Sequence, residues 1–307
     1  MTSYGFLGYG QVGQHLTEGM HRSPDDHVAA FDLGFRDPAR AELVARARDS
    51  VVEVVTDPAG LAGCDLVLSV VTPASALAVA RDYAAHAHPG QTYVDLNSTA
   101  PEVKAQIAEV LAPSGVRFLE GVMTGGGINL DGHRIPMSLA GPDAEAVAAQ
   151  LTAAGFLAEA IGDTIGQAAA MKMLRGVVIK GLEALSVEAF VAARAYGIED
   201  LVLASVSESL DRWSIRDFIA MLVTTHTVHC GRRSVEVRMI KETVASSGLE
   251  PLMATAAQQL FERSAAADLT VDGAPPTGFE AAMDALRAAT IDPSTDTPQT
   301  HDEEEPA

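Results

Sequence analysis

Apolar residues in the first half of the chain fall into short uninterrupted runs. Between the runs lie longer stretches in which alanine, leucine and valine recur among charged residues. The runs at 5–8, 28–32, 51–55, 66–71, 92–97, 117–122 and 136–140 have strand length, whereas 38–48, 74–86 and 101–111 read as helices. Continuously apolar strands alternating with helices suit a sheet buried on both faces, so the rhythm predicts a doubly wound, mostly parallel α/β sheet. Helix starts are marked too: Thr99 precedes Pro101, and Pro142-Asp-Ala-Glu opens another helix.

The pattern changes after Gly166. Residues 166–266 contain no convincing strand and little glycine or proline. Residues 167–196 read as one helix of roughly thirty residues, roughly 45 Å at 1.5 Å per residue. Gly197 offers its stop, and further helices are expected over 199–213, 214–229, 234–247 and 251–266, with Ser214-x-x-Asp217 resembling a capping box. The expected organisation is a doubly wound α/β domain over 1–163, an all-α domain over 164–290 joined by the long helix, and a tail over 291–307. That tail carries six acidic residues and three prolines with no lysine or arginine, the composition of a disordered segment.

Charge narrows the partners. The formal net charge is −20, which repels nucleic-acid phosphates and anionic membranes, so neither is expected as a partner. A small anionic substrate would then need a local basic cluster. The two cysteines, Cys64 and Cys230, form no disulfide framework, no apolar run reaches membrane-spanning length, and no secretory leader is evident, so a cytoplasmic protein is expected.

The chemistry begins at Gly5-Phe-Leu-Gly8-Tyr9-Gly10-Gln11-Val12-Gly13, a strand running through G-x-G-x-x-G into a helix. Gly8 permits the tight turn, Gly10 lets backbone approach a pyrophosphate, and Gly13 lets strand and helix pack closely. Asp32 follows a second apolar run, 19 residues after Gly13, where a carboxylate accepts hydrogen bonds from a ribose 2′-OH and repels a 2′-phosphate. This favours NAD, with NADP possible because Arg36 stands four residues on. Val71-Thr72 and Asn97-Ser98-Thr99 follow later strand ends, positioned to line the ribose and nicotinamide. Thr124-Gly125-Gly126 follows another, and its consecutive N–H groups suit an anion.

Lys172 sits in the apolar first turns of the long helix, among Ala168, Ala169, Ala170, Met171 and Met173. A desolvated lysine has a lowered pKa and serves as general acid or base near neutral pH. Arg175 and Lys180 extend a cationic strip towards a substrate anion. His226-x-x-His229-Cys230 lacks a third ligand at metal-like spacing, so no metal site is expected.

In this order the motifs resemble the β-hydroxyacid dehydrogenases of the 6-phosphogluconate and 3-hydroxyisobutyrate dehydrogenase type, over residues 4 to 265. Lys172-Met-Leu-Arg175-Gly-Val-Val-Ile-Lys180, His229…Arg232-Arg233…Glu236 and Gly248-Leu-Glu-Pro251 resemble the branch with a DUF1932-type C-terminal domain. The resemblance implies hydride transfer between a nicotinamide and a small hydroxy or keto acid. It implies Lys172 as acid/base, Ser98 and Thr99 beside the nicotinamide, Thr124, Gly125 and Gly126 at the substrate, and a homodimer through the α-domains. Ser98 and the cations Arg175 and Lys180 are expected on their own chemistry to join in holding a substrate anion. Two departures stand out: Thr124 replaces the family serine, and Arg175-Gly176 stand where the family carries an asparagine. An imine reductase on the same scaffold, in which the lysine is typically replaced, and a non-catalytic dinucleotide-binding protein are the alternatives.

Overall fold

The computed structural model describes residues 2–21, 23, 25–124 and 135–291. Gly125, Gly126 and the acidic tail beyond Ile291 lie outside the described residues. The chain divides into two compact units, Met1–Val178 and Ile179–Ala307.

The first unit is built on an eight-stranded sheet. Its strands are β1 (Ser3–Leu7), β2 (His27–Phe31), β3 (Glu53–Val55), β4 (Leu66–Ser69), β5 (Thr92–Asp95), β6 (Arg117–Met123), β7 (Pro136–Ala140) and β8 (Leu157–Gly162). Their spatial order is β3-β2-β1-β4-β5-β6-β7-β8, and every neighbouring pair is parallel except β6 with β7. The helices between them are α1 (Gln11–Glu18), α2 (Ala41–Asp49), α3 (Ala76–Tyr83), α4 (Pro101–Leu111) and α5 (Ala144–Ala153).

The apolar runs are continuous because both faces of each central strand are covered. On β1, Phe6 joins one buried cluster with Leu16, Leu68, Leu96 and Leu139, while the next residue, Leu7, joins another with Val67, Tyr83, Ile107 and Leu111. Alternate side chains leave a strand on opposite faces, so these two clusters are the cores above and below the sheet. The doubly wound α/β class expected from the sequence is the observed one.

One strand had no expectation behind it. Leu157–Gly162 pairs in parallel with β7 at the sheet edge and is exposed at every second residue. Its small, half-exposed residues lack the apolar run that marks the buried strands.

The long helix α6 (Gln167–Ala195) begins in the first unit, and the division between the units falls within it. The second unit continues with α7 (Glu199–Leu210), α8 (Ile215–Ser246), α9 (Leu252–Ala266) and α10 (Phe279–Thr290). Among the described residues it is all-helical apart from an isolated bridge between Val271 and Ala274. Ser214 caps α8 by accepting the Asp217 N–H at 3.1 Å, as the capping-box pattern implies. The two helices expected over 214–229 and 234–247 are one. Gly231 lies inside α8, where a Cβ would rest 4.0 Å from Ala265 on α9. The glycine marks close packing of two helices here, not a stop.

Candidate active site

The dinucleotide loop has the geometry its glycines require. Gly8 adopts φ +99°, and a Cβ there would stand 2.8 Å from the Val70 carbonyl oxygen. A Cβ at Gly13 would come within 2.6 Å of the Gly8 carbonyl oxygen, so neither position accepts a side chain without moving backbone. At Gly10 there is open space, with nothing within 4 Å of a Cβ. Gly10 is also the N-cap of α1, supplies no side-chain cap, and is followed by no acidic residue in the first turn. The positive end of the helix therefore remains available to an anion.

Gly8, Gly10, Gln11, Val12, Asp32, Val71 and Thr72 line one cavity of about 430 Å³. Seven of the expected cofactor residues thus meet in one place. Tyr9 contributes differently: its ring is buried against Phe35, with centroids 5.6 Å apart, and its N–H donates to Asp32 Oδ2 at 2.7 Å. Asp32 Oδ1 accepts the Gly34 N–H at 2.7 Å. The loop and the end of β2 thus hold the carboxylate at the cavity wall.

Arg36 is directed elsewhere, donating to the Thr56 carbonyl at 2.6 Å and facing Asp57 at 3.8 Å. The cation beside Asp32 is instead Arg40, which lines both this cavity and an adjoining one of about 330 Å³ that also includes Arg46. Sequence spacing passed over Arg40 because a short 3-10 turn brings it back towards Asp32.

Lys172 is half-buried, one turn into α6. Its Nζ donates to the Ser98 hydroxyl and, at 2.8 Å, to the Met123 carbonyl. The loop after β5 and the end of β6 therefore meet the helix at one amine, at the carboxyl edge of the sheet where open α/β folds bind ligands. Burial pushes the Lys172 pKa down, and the charges of Lys104 and Arg175 push it further.

Beneath this amine lies a buried cluster that no motif announced. Lys104 and Asp95 have fully buried side chains, and Lys104 Nζ meets Asp95 Oδ2 at 2.6 Å. The same ammonium donates to the carbonyls of Asp95 (2.9 Å), Asn97 (2.7 Å) and Gly121 (3.2 Å). Burying a charge costs several kcal/mol per ion unless partners replace its water, and here every Lys104 donor direction has an oxygen to meet. Asn97 donates to Asp95 Oδ1 and, at 2.9 Å, to the Ser69 hydroxyl, which commits its side chain to the interior. The Thr99 hydroxyl is buried without a partner.

Glu120 on β6 is also fully buried. Its Oε1 accepts the N–H groups of Gly166 and Ala168 at 2.8 Å each, and Oε2 that of Ala169 at 3.2 Å. This carboxylate caps α6 from a distant strand. Burial raises its pKa, against the lowering effects of Lys104 and these N–H donors.

The remaining expected substrate residues are less gathered. Thr124 is half-buried at the end of β6, its N–H bonded to the Pro136 carbonyl at 2.8 Å. Arg175 is exposed on α6. Lys180 belongs to the second unit, where its exposed ammonium pairs with Glu183 at 2.6 Å. Also in that unit, Arg232 pairs with Glu236 at 3.2 Å, and Arg233 donates to the Thr225 hydroxyl at 3.0 Å.

Comparison with known proteins adds to this geometry. Residues 3–156 match the NAD binding domain of 6-phosphogluconate dehydrogenase, and residues 193–264 match a domain of unknown function, DUF1932. A conserved hypothetical protein from Sinorhizobium meliloti 1021 is 34% identical, covering 94% of this chain and 97% of its own, with a TM-score of 0.63. A conserved protein of unknown function, described as structurally similar to 3-hydroxyacid dehydrogenases, is 29% identical over 85% of this chain and 96% of its own, with a TM-score of 0.60. Imine reductase structures from Myxococcus stipitatus share the fold alone. The NADP+ complex is 15% identical over 92% of this chain and 99% of its own, with a TM-score of 0.69. The V8 variant with NAD+ is 14% identical over 93% and 99%, with a TM-score of 0.72.

Proposed function

Since the chain belongs to the family of the 6-phosphogluconate dehydrogenase NAD-binding domain, we propose that it is a dehydrogenase or reductase acting on a small hydroxy or keto acid, with Lys172 as general acid/base. The observation that carries this reading is the Lys172 amine, half-buried and held by the Ser98 hydroxyl and the Met123 carbonyl. A bound nicotinamide dinucleotide supplies the site that accepts or gives the hydride. The open backbone at Gly10, the uncapped start of α1 and the Asp32 carboxylate fit its pyrophosphate and ribose.

Lys172 as neutral amine takes the proton from the substrate hydroxyl during oxidation, and as ammonium returns it during reduction. Its lowered pKa serves both directions, since a proton is transferred best by a group that titrates near the working pH. Ser98 and Thr124 offer hydroxyls to the substrate carboxylate, with Gly125 and Gly126 following. Arg175 is an exposed cation one turn from Lys172, and a Cβ at the neighbouring Gly176 would have nothing within 4 Å. A charged arm with open space beside it suits an acid bulkier than the family asparagine would admit. Asp32 favours NAD. Arg40 and Arg46 leave NADP as the second cofactor to try.

A screen of small hydroxy and keto acids with NAD(H) and NADP(H), read by turnover and thermal shift, tests the assignment. Turnover of at least one acid is expected, together with a larger melting shift from NAD than from NADP, because ligands that bind only the folded state stabilise it. Turnover of cyclic imines alone would replace this reading by C=N reduction. Dinucleotide binding without turnover of either class would leave a non-catalytic binding protein.

The proposed assembly is a homodimer. Leu174, Val178, Leu182 and Leu185 form a stripe along α6 and are 46–66% exposed, and Leu201 on α7 is 70% exposed. Apolar faces of this extent on a soluble chain mark an interaction surface. Light scattering should give twice the 32.0 kDa chain mass, and a monomer at micromolar concentration would refute the dimer. Among the described residues no helix is long and apolar enough to cross a membrane.

A further inference from the structure

We propose that Lys104 is a positioning residue for Lys172, one buried ammonium that fixes both of the acceptors the Lys172 amine uses. The inference rests on Lys172 being the acid/base of the proposed reaction. Its geometry, though, is independent of any substrate.

Lys172 has two acceptors, on two different segments. Ser98 lies in the loop after β5, directly following Asn97, whose carbonyl accepts from Lys104 at 2.7 Å. Met123 ends β6, two residues after Gly121, whose carbonyl accepts from Lys104 at 3.2 Å. The Asp95 carboxylate and carbonyl anchor the same ammonium to β5 at 2.6 and 2.9 Å. Lys104 therefore ties together the two strand ends that present oxygen to Lys172. A neutral side chain cannot do this, because only an ammonium offers three donors from one atom.

The tether is also charged. Among the described residues, the ionisable groups around Lys172 are Lys104 from α4, Arg175 from α6, and, beyond Lys104, Asp95 on β5 and Glu120 on β6. Burial, then Lys104, then Arg175 disfavour the protonated form of Lys172. Lys104 would thus place the amine and also help keep it deprotonatable. Asp95 is the counter-charge that allows Lys104 to remain an ammonium where no water reaches it.

A substrate-free titration tests this. The chain has only four lysines, Lys104, Lys172, Lys180 and Lys241, so trace acylation by acetic anhydride at a series of pH values, read peptide by peptide, follows Lys172 directly. Only the unprotonated amine reacts. In the wild-type protein the Lys172 midpoint should lie below the ordinary lysine value, and a midpoint at that value would overturn the proposal. Lys104→Met should raise the Lys172 midpoint, and with it lower the fraction of free amine at any fixed pH below that midpoint. Ser69→Ala removes the hydroxyl that accepts from Asn97 but leaves Lys104, its Asp95 counter-charge and its bonds to the Asn97 and Gly121 carbonyls in place, so the Lys172 midpoint should stay.

A merely structural cluster predicts a rise for that second variant, since loosening the site from either side would return Lys172 upward to an ordinary lysine value. An upward shift in Ser69→Ala therefore overturns the proposal even if Lys104→Met does not fold, as does an unmoved midpoint in a folded Lys104→Met. Because no substrate enters the measurement, a low Lys172 midpoint in a protein that turns over no hydroxy acid would refute the proposed reaction and leave the positioning intact.

Discussion

Lys172→Ala should lower kcat by about 10²- to 10⁴-fold, the usual contribution of a positioned acid/base, while dinucleotide binding persists. The two effects separate because the residues involved separate. The cofactor cavity is lined by Gly8, Gly10, Asp32, Val71 and Thr72, whereas Lys172 is bonded to Ser98 and Met123. Single-turnover rates with a substrate found in the screen, alongside dinucleotide titration by fluorescence, check both halves. Wild-type turnover in this variant would remove Lys172 from the mechanism. Lys172→Arg sharpens the test: the guanidinium keeps the charge but does not release a proton at accessible pH, so oxidation should be lost as fully as in the alanine variant.

The pH dependence has a definite sign. With the Lys172 pKa lowered in the folded protein, oxidation needs the amine and rises with pH to a plateau, and reduction needs the ammonium and falls across the same range. Both limbs should report one apparent pKa below the ordinary lysine value. For stability, the folded state binds fewer protons than the unfolded state between the lowered and the ordinary lysine values. Stability from this group therefore increases as pH rises through that window.

What the sequence disclosed and what it concealed divide along a physical line. Gly8, Gly13 and Asp32 were legible because the turn, the close helix packing and the strand end are local consequences of a short segment. Lys172 was legible because a lone cation among alanines and methionines at a helix start contradicts its surroundings. Lys104 and Glu120 were not, since each acts across the sheet. Lys104 reaches β6 only because β5 and β6 pair in parallel with Asp95 opposite Glu120. Glu120 meets Gly166 and Ala168 across 46 and 48 residues of sequence. In one dimension Glu120 is simply an acid preceding a glycine-rich loop, and Lys104 an ordinary residue of α4. The strand β8 escaped for a related reason. Its pairing with β7, not its composition, makes it a strand. Arg40 escaped because its approach to Asp32 depends on how the chain turns after β2.

Glu120 carries the other large expectation. In Glu120→Ala the N–H groups of Gly166, Ala168 and Ala169 lose their acceptor at the start of α6, a site closed to water. Each stranded donor costs about 1–3 kcal/mol, so the folded state should lose about 3 kcal/mol or more in urea unfolding. Lys172 lies one turn beyond these donors, and a displacement of about 1 Å at a reacting group can cost about 10²-fold in rate, so kcat should fall as well. Glu120→Gln separates capping from charge. Its amide oxygen still accepts from Gly166 and Ala168, while its NH₂ faces the Ala169 donor, so its stability loss should be the smaller of the two. Burial raises the Glu120 pKa, so the folded protein keeps a proton that the unfolded chain releases once pH passes the ordinary glutamate value. Over that window the contribution of Glu120 to stability falls as pH rises, until the folded value is passed. Glutamine cannot titrate, so the stability of Glu120→Gln relative to wild type should improve as pH rises through the window and then level off. Parallel stability–pH curves for the two proteins would show that Glu120 titrates no differently when folded, and that burial does not govern the group holding α6 in place.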